Sequence, residues 1–291
     1  MFNRVAIIGL GLIGGSIGLA LHKARAAQQV AGYDLGKGVS DQARKIGAID
    51  QAYSSLADAV RGAELIILAT PVGTMRALLQ NIATSATPGA VITDVASTKV
   101  QVISWAEEFL PATLSFVGGH PMTGKELSGV EAADAQLFQN RVYCLCPTAR
   151  TRPAAIDKVS AFVQALEARV RFLEPAEHDG QVASVSHLPF VASVALMNTV
   201  ATSPSWGDAA ILASNGFRDM TRLAAGSPEM YRDICFTNSE ALARALNDYI
   251  ATLSTLRDRI ATHDSSLNEE FAKVQQARLQ WQAAHDTSGP D

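Results

Sequence analysis

Short apolar runs separated by amphipathic stretches fill the first 175 residues. Val5-Ala-Ile-Ile8 ends at Gly9 and is followed at once by a helical repeat of Ile13, Ile17 and Leu21, which predicts strand, tight turn, helix. The pattern then repeats. Strands are expected at Val30 to Tyr33, Leu65 to Ala69, Val91 to Val95, Ser115 to Val117, Val142 to Cys146 and Val170 to Leu173. Helices are expected around Ser40 to Ile46, Leu56 to Val60, Met75 to Ile82, Val100 to Phe109 and Ala154 to Leu166. Strands alternating with helices of this length predict an α/β fold, a Rossmann-type doubly wound, mostly parallel sheet covered on both faces.

After Glu174-Pro175 the strand signals stop and the rest reads as helix. The expected organisation is therefore a dinucleotide-binding domain over 1–175, an all-α substrate and dimerisation domain over 176–285, and a tail over 286–291. Leu242, Leu246, Ile250, Leu253, Leu256 and Ile260 recur every three or four residues. Such a stripe buries itself against something, and a homodimer through the helical domain is expected. Ser266-Leu-Asn-Glu269 has the form of a capping box opening one more helix. Near His187, Pro189 removes a helix N–H and predicts a local perturbation.

Composition narrows the partners. A net charge of −4 without a basic run argues against nucleic acid, which needs a Lys- or Arg-rich face, and favours a small-molecule substrate. No stretch approaches about 18 uninterrupted apolar residues, and the chain enters a strand too early for a signal peptide, so no membrane association and a cytoplasmic location are expected. Three cysteines, two of them in the alternating strand Val142 to Cys146, make neither a disulfide framework nor a complete metal site.

Gly9-Leu-Gly-Leu-Ile-Gly14, after a strand and opening a helix, is a dinucleotide fingerprint in its required context. Gly9 permits the tight turn, Gly11 lets backbone approach a pyrophosphate, Gly14 permits close helix packing, and the N–H groups around Leu12 and Ile13 face the phosphates. Asp34, at the end of the second strand, accepts from adenosine ribose hydroxyls and repels a 2′-phosphate, which predicts NAD over NADP even with Lys37 close by in sequence. Thr70 and Pro71, at the end of another strand, are expected beside the cofactor.

Other polar clusters lie at strand ends or in the first helix beyond them: Asp94-Val-Ala-Ser-Thr-Lys99, Gly118-Gly-His-Pro-Met-Thr-Gly124, Ser184-Val-Ser-His187 and Gly216-Phe-Arg-Asp-Met-Thr-Arg222. Together with the fingerprint, these segments resemble the prephenate/arogenate dehydrogenases of tyrosine biosynthesis, the TyrA family, from about residue 4 to about residue 240. The resemblance implies an oxidative decarboxylation. Hydride leaves the ring carbon bearing the hydroxyl for the nicotinamide, carbon dioxide departs, and the ring becomes aromatic. It also implies roles: His120 as general base, Ser97 holding the reacting hydroxyl and orienting the histidine, His187 touching substrate, and Arg222 binding a carboxylate. Asp219, three residues before Arg222 and so on the same face if that segment is helical, is expected to orient it. Lys125, Glu126, Tyr231 and Arg232 stand where side-chain specificity and secondary attraction are set. Lys125 favours the keto acid and Glu126 an ammonium, so the expectation is prephenate or dual use. Two other readings are a β-hydroxyacid dehydrogenase or pyrroline-carboxylate reductase on the same plan, and a non-catalytic NAD-binding protein. The segments around His120 and Arg222 speak against the first, and the presence of both Ser97 and His120 against the second.

Overall fold

The computed structural model describes residues 1–124 and 127–285. The chain opens with β1 (Phe2–Ile8), α1 (Leu12–Lys23) and β2 (Ala27–Tyr33), followed by α2 (Val39–Lys45), β3 (Gln51–Ala52), α3 (Leu56–Val60) and β4 (Leu65–Leu68). It continues through α4 (Met75–Ser85), β5 (Val91–Asp94), α5 (Val100–Phe109), β6 (Ser115–Pro121), β7 (Val142–Cys146), α6 (Pro153–Ala165) and β8 (Arg169–Phe172). The strands form one eight-stranded sheet in the order β3-β2-β1-β4-β5-β6-β7-β8. All neighbours are parallel except β6 and β7. Every residue of β4 and β5 is buried, as expected for central strands covered by helices on both faces. Two apolar layers flank the sheet: Ile7, Leu10, Ile17, Leu65 and Phe162 meet in one, and Ile8, Ile66, Met75, Leu79 and Val102 in the other.

The structure departs from the sequence expectation at two strands. β3 is a two-residue edge pairing with β2, too short to leave a period. β6 runs past Val117 to Pro121, because Gly118, Gly119, His120 and Pro121 pair with Cys146, Leu145, Cys144 and Tyr143 of β7. Two glycines and a proline read as a turn, but pairing with β5 ends at Val117, so at Pro121 the strand is an edge on that side and a missing N–H is tolerated. His120 therefore sits on a strand end rather than on a free loop.

Beyond β8 the described chain is helical: α7 (Pro175–Val182), α8 (Leu188–Ala201), α9 (Trp206–Leu212), α10 (Asn215–Thr221), α11 (Pro228–Thr237), α12 (Ser239–Ala261) and α13 (Leu267–His285). Between α7 and α8 the helix widens into a π turn over Ala183–His187. Pro189 follows directly and supplies no N–H to the preceding turn, which gives the widening a local cause. The whole segment Pro175–Ala201 is long and apolar enough by composition to cross a membrane, yet it carries buried His178, Asp179 and His187. By contacts the chain divides into two compact units, Met1–Leu242 and Ala243–Asp291. The second holds the rest of α12 and α13, joined by an Arg259–Glu270 ion pair of 3.8 Å. Asp264 accepts the Ser266 N–H at 2.9 Å just before α13 begins. The tail expected over 286–291 lies outside the described residues.

Candidate active site

At the carboxyl end of β1, Gly9 has φ +93° and lies so close to β4 that a Cβ there would sit 2.5 Å from the Ala69 carbonyl oxygen. Gly14 meets the same turn from the helix side, where a Cβ would fall 1.9 Å from the Gly9 carbonyl oxygen. A side chain at Gly9 would push the turn off the residues that follow β4, and one at Gly14 would separate α1 from the turn. Gly11, by contrast, has no atom within 4 Å of where a Cβ would be. It is also the N-cap of α1, with no side-chain cap and no acidic residue in the first turn, which leaves the N–H groups around Leu12 and Ile13 available to an anion. This end of the sheet fits a dinucleotide pyrophosphate.

Asp34 holds the backbone of the glycine turn. Its Oδ2 accepts the Leu10 N–H at 2.7 Å and its Oδ1 accepts the Gly36 N–H at 2.6 Å, so the carboxylate fixes the glycine turn from the neighbouring strand. Each oxygen retains further acceptor capacity for a hydroxyl. Lys37 is exposed. Thr70 bonds Thr74 through their hydroxyls at 2.8 Å, closing the short turn that begins at the exposed Pro71.

The second part of the site lies around the ends of β5 and β6. Asp94, fully buried, accepts the Gly119 N–H at 3.0 Å and the Ala96 N–H at 3.0 Å. Lys99, also fully buried, donates from Nζ to Asp94 and to the Gly119 carbonyl, the latter at 2.6 Å. Both backbone polar groups of Gly119 are thus held by one ion pair, and the next residue is His120. The His120 Nδ1 lies 2.9 Å from His178 Nε2, and His178 Nδ1 lies 2.8 Å from Asp179 Oδ1. Burial, reinforced by His178, Lys99 and His187, holds the His120 pKa well below the usual histidine value of 6.5.

His187 is buried, with Nδ1 3.1 Å from Asn238 Nδ2, while its buried Nε2 has no hydrogen-bond partner among the described residues. Burial lowers its pKa to about 4. An orphaned imidazole nitrogen beside the His120 cluster is where a polar ligand atom belongs, since a buried polar atom without a partner is costly. Asn238 also donates to the Asp179 carbonyl at 2.8 Å, tying the end of α11 to α7. Thr98 meets Thr237 at 2.9 Å, and Ser97 between the Asp94 turn and Thr98 stays half-buried.

Arg222 and Tyr231 form a second, more exposed group. Arg222 opens a short 3-10 turn after α10, and its charge opposes the upward shift that burial gives the Tyr231 phenol. Tyr231 stacks on Phe190 with ring centroids 3.4 Å apart and planes 2° from parallel. Asp219 faces Arg218 at 3.3 Å, the guanidinium next to it in the chain, and Arg232 forks onto Asp233 at 2.9 and 2.7 Å. In both cases the bonded partner is adjacent in sequence. Lys125 and Glu126 lie outside the described residues.

Sequence reasoning missed His178, Asp179 and Asn238, and quoted Asp94 and Lys99 without giving them work. The available signal was a His-Asp pair three residues inside a helix whose continuation is almost wholly apolar.

Comparison with known proteins agrees with this geometry. Residues 17–172 match the family described as "Prephenate dehydrogenase, nucleotide-binding domain", and residues 174–276 match "Prephenate dehydrogenase, dimerization domain". A cyclohexadienyl dehydrogenase of Zymomonas mobilis is 35% identical over 289 residues, 98% of each chain. A prephenate dehydrogenase of Bacillus subtilis is 34% identical over 267 residues, 91% of this chain and 72% of its own. The crystal structure of the A. aeolicus prephenate dehydrogenase in complex with hydroxyphenyl propionate and NAD+ superposes with a TM-score of 0.90 at 29% identity, covering 96% of this chain and 98% of that one. Likeness to a Mycobacterium tuberculosis 3-hydroxyisobutyrate dehydrogenase, with a TM-score of 0.54 at 16% identity, reflects the shared fold alone. Both halves of the sequence match in order and nearly end to end, and the chain belongs to the prephenate dehydrogenase family.

Proposed function

We propose that this protein is an NAD-dependent oxidoreductase that oxidatively decarboxylates prephenate, or prephenate and arogenate alike, in tyrosine biosynthesis. The observation that carries the reading is His120 at a strand's carboxyl end, its Nδ1 engaged by His178 at 2.9 Å, on the same sheet that presents the open Gly11 turn. NAD, when bound, accepts the hydride. The chain's own residues do the rest. His120 Nε2 takes the hydroxyl proton from the carbinol, and Ser97 holds that hydroxyl in line. His187 Nε2 meets a polar atom of the substrate, and Arg222 offers a carboxylate a planar pair of donors. Tyr231, stacked on Phe190, forms an aromatic wall, with Lys125 and Glu126 assigned to side-chain choice. Gly9, Gly11, Leu12, Ile13, Gly14, Thr70 and Pro71 carry the cofactor, and Asp34 selects NAD over NADP by repelling a 2′-phosphate.

The division we favour is 1–175 for cofactor and 176–285 for substrate and dimerisation. α8 supports a homodimer through the second part, because its residues are almost all apolar while only Ser193 is fully buried within one chain. The polar residues of the same helical segment, His178, Asp179 and His187, are tied to α5, β6 and Asn238, which favours a cytoplasmic enzyme over a membrane-spanning one.

The test is NADH formation with prephenate and with arogenate, comparing the wild type with His120→Asn. Turnover of either substrate, reduced ~100-fold or more in the variant, is the expected outcome for loss of a general base. No turnover of either by the intact wild type sinks the proposal.

A further inference from the structure

We propose that His178 and Asp179 are positioning residues that decide which ring nitrogen of His120 carries the proton. The Asp179 Oδ1 accepts the Lys99 N–H at 2.7 Å and its Oδ2 accepts the Val100 N–H at 2.9 Å, so the carboxylate caps the start of α5. Acting as an acceptor, its Oδ1 also faces His178 Nδ1 at 2.8 Å, which therefore carries the hydrogen. A neutral imidazole protonated at Nδ1 has its lone pair on Nε2. That atom is 2.9 Å from His120 Nδ1, so His120 donates from Nδ1 and keeps its lone pair on Nε2.

The consequence concerns the reaction directly. An unconstrained neutral histidine in water prefers its proton on Nε2, the wrong arrangement for a base that uses that nitrogen. The Asp179–His178 pair reverses the preference before substrate arrives. When His120 takes the hydroxyl proton, its Nδ1–H bond to His178 becomes charge-assisted, with the Asp179 carboxylate one ring away. The other charged or titratable groups near His120 are Lys99 and Asp94 beneath it, His187 from the π turn, and Cys144 opposite it on β7. None of these is hydrogen-bonded to the His120 ring in the structure. The pair is itself immobilised from two sides, by the first N–H groups of α5 and by Asn238 on the Asp179 carbonyl.

This inference rests on His120 being the general base, and the experiment separates the two claims. Histidine-selective 15N labelling and multiple-bond 1H–15N correlation of the cofactor-free protein read the tautomer, with His120 assigned by its disappearance in His120→Asn. The expected result is a neutral His120 protonated at Nδ1 in the wild type and shifted toward the Nε2–H form in His178→Phe, which keeps a buried ring but removes the acceptor. Kinetically, His178→Phe should lower kcat ~100-fold, within the range for misdirected acid–base catalysis, and leave the KM values for substrate and NAD nearly unchanged. Asp179→Asn, which retains one acceptor oxygen, should shift the tautomer and kcat in the same direction, and decides the matter together with the wild-type spectrum if His178→Phe does not fold. A wild-type His120 protonated at Nε2, or His178→Phe with unaltered tautomer and kcat, overturns the inference even where His120→Asn is inactive. A fully active His120→Asn overturns the base assignment on which it stands.

Discussion

Replacing Lys99 by Met tests whether the buried ion pair behind His120 is structural cement or incidental. Lys99 and Asp94 are both fully buried, and the ammonium donates to Asp94 and to the Gly119 carbonyl at 2.6 Å. Methionine keeps the length and removes the charge. Asp94 then remains as a buried carboxylate whose only described donors are the Ala96 and Gly119 N–H groups, each at 3.0 Å. Breaking a buried pair by removing one partner costs about 3–5 kcal/mol, and orphaning the Gly119 carbonyl adds about 1–3 kcal/mol. Relaxation and water entry offset part of the sum, so a net loss of about 4 kcal/mol is expected, a large fraction of the ~5–15 kcal/mol that holds an ordinary domain together. Urea unfolding reads it at one fixed protein concentration, since subunit association also contributes to apparent stability. Asp94→Asn added to Lys99→Met removes the stranded charge while keeping an acceptor for Gly119, so the double variant should be more stable than Lys99→Met alone. A loss below about 1 kcal/mol, the size of an ordinary substitution, or a double variant no better than the single, refutes the reasoning.

Two further outcomes follow from the same geometry. Because burial and then the charges of His178, Lys99 and His187 hold the His120 pKa well below 6.5, the base stays unprotonated on mildly acidic titration; kcat/KM should therefore begin to fall only as the pH drops clearly under 6.5, and a falling limb centred at or above 6.5 contradicts the assignment. Asp34→Asn removes the charge that our proposal sets against a 2′-phosphate while keeping one acceptor for Leu10 or Gly36, so fluorescence titration should show NAD binding weakened about tenfold, or ~1.4 kcal/mol, with the gap to NADP narrowed; an unchanged ratio of the two affinities assigns Asp34 to loop support alone.

Most of the sheet was legible because its strands are buried on both faces and leave continuous apolar runs, as at Leu65–Leu68, and because the glycine turn has a local steric cause at Gly9 and Gly14. The two strand departures have opposite origins. Gln51–Ala52 is too short to carry a period, whereas Gly118 to Pro121 carries turn residues overridden by pairing with β7. Within the site, His120 and His187 could be singled out as unusual residues in polar or perturbed segments. Their supports left only a faint sign, the His178-Asp179 pair ahead of an almost wholly apolar helix, because each lies far in sequence from the residue it holds. His178 reaches His120 across 58 positions, Asp179 reaches Lys99 across 80, and Asn238 reaches His187 across 51. Sequence spacing encodes contacts within an element and is silent about contacts made when helices dock on a sheet.

That silence has a functional side. Among the described residues, the side chains that hold the Gly119 backbone and the His120 ring come from elements other than their strand: Asp94 from β5, Lys99 from the start of α5, and His178 with Asp179 from α7, itself pinned by Asn238 at the end of α11. The carboxylate of Asp179 does two jobs with the same two oxygens, capping α5 and holding His178, so α7 cannot shift relative to α5 without disturbing both. The geometry of His120, the base in our proposal, is thereby coupled to the docking of the helical segment on the sheet. A substitution at the α5–α7 junction is then expected to act on proton transfer without touching either substrate or cofactor, and the absence of a conspicuous motif around Asp179 is what a residue acting through its neighbours should look like in a linear sequence.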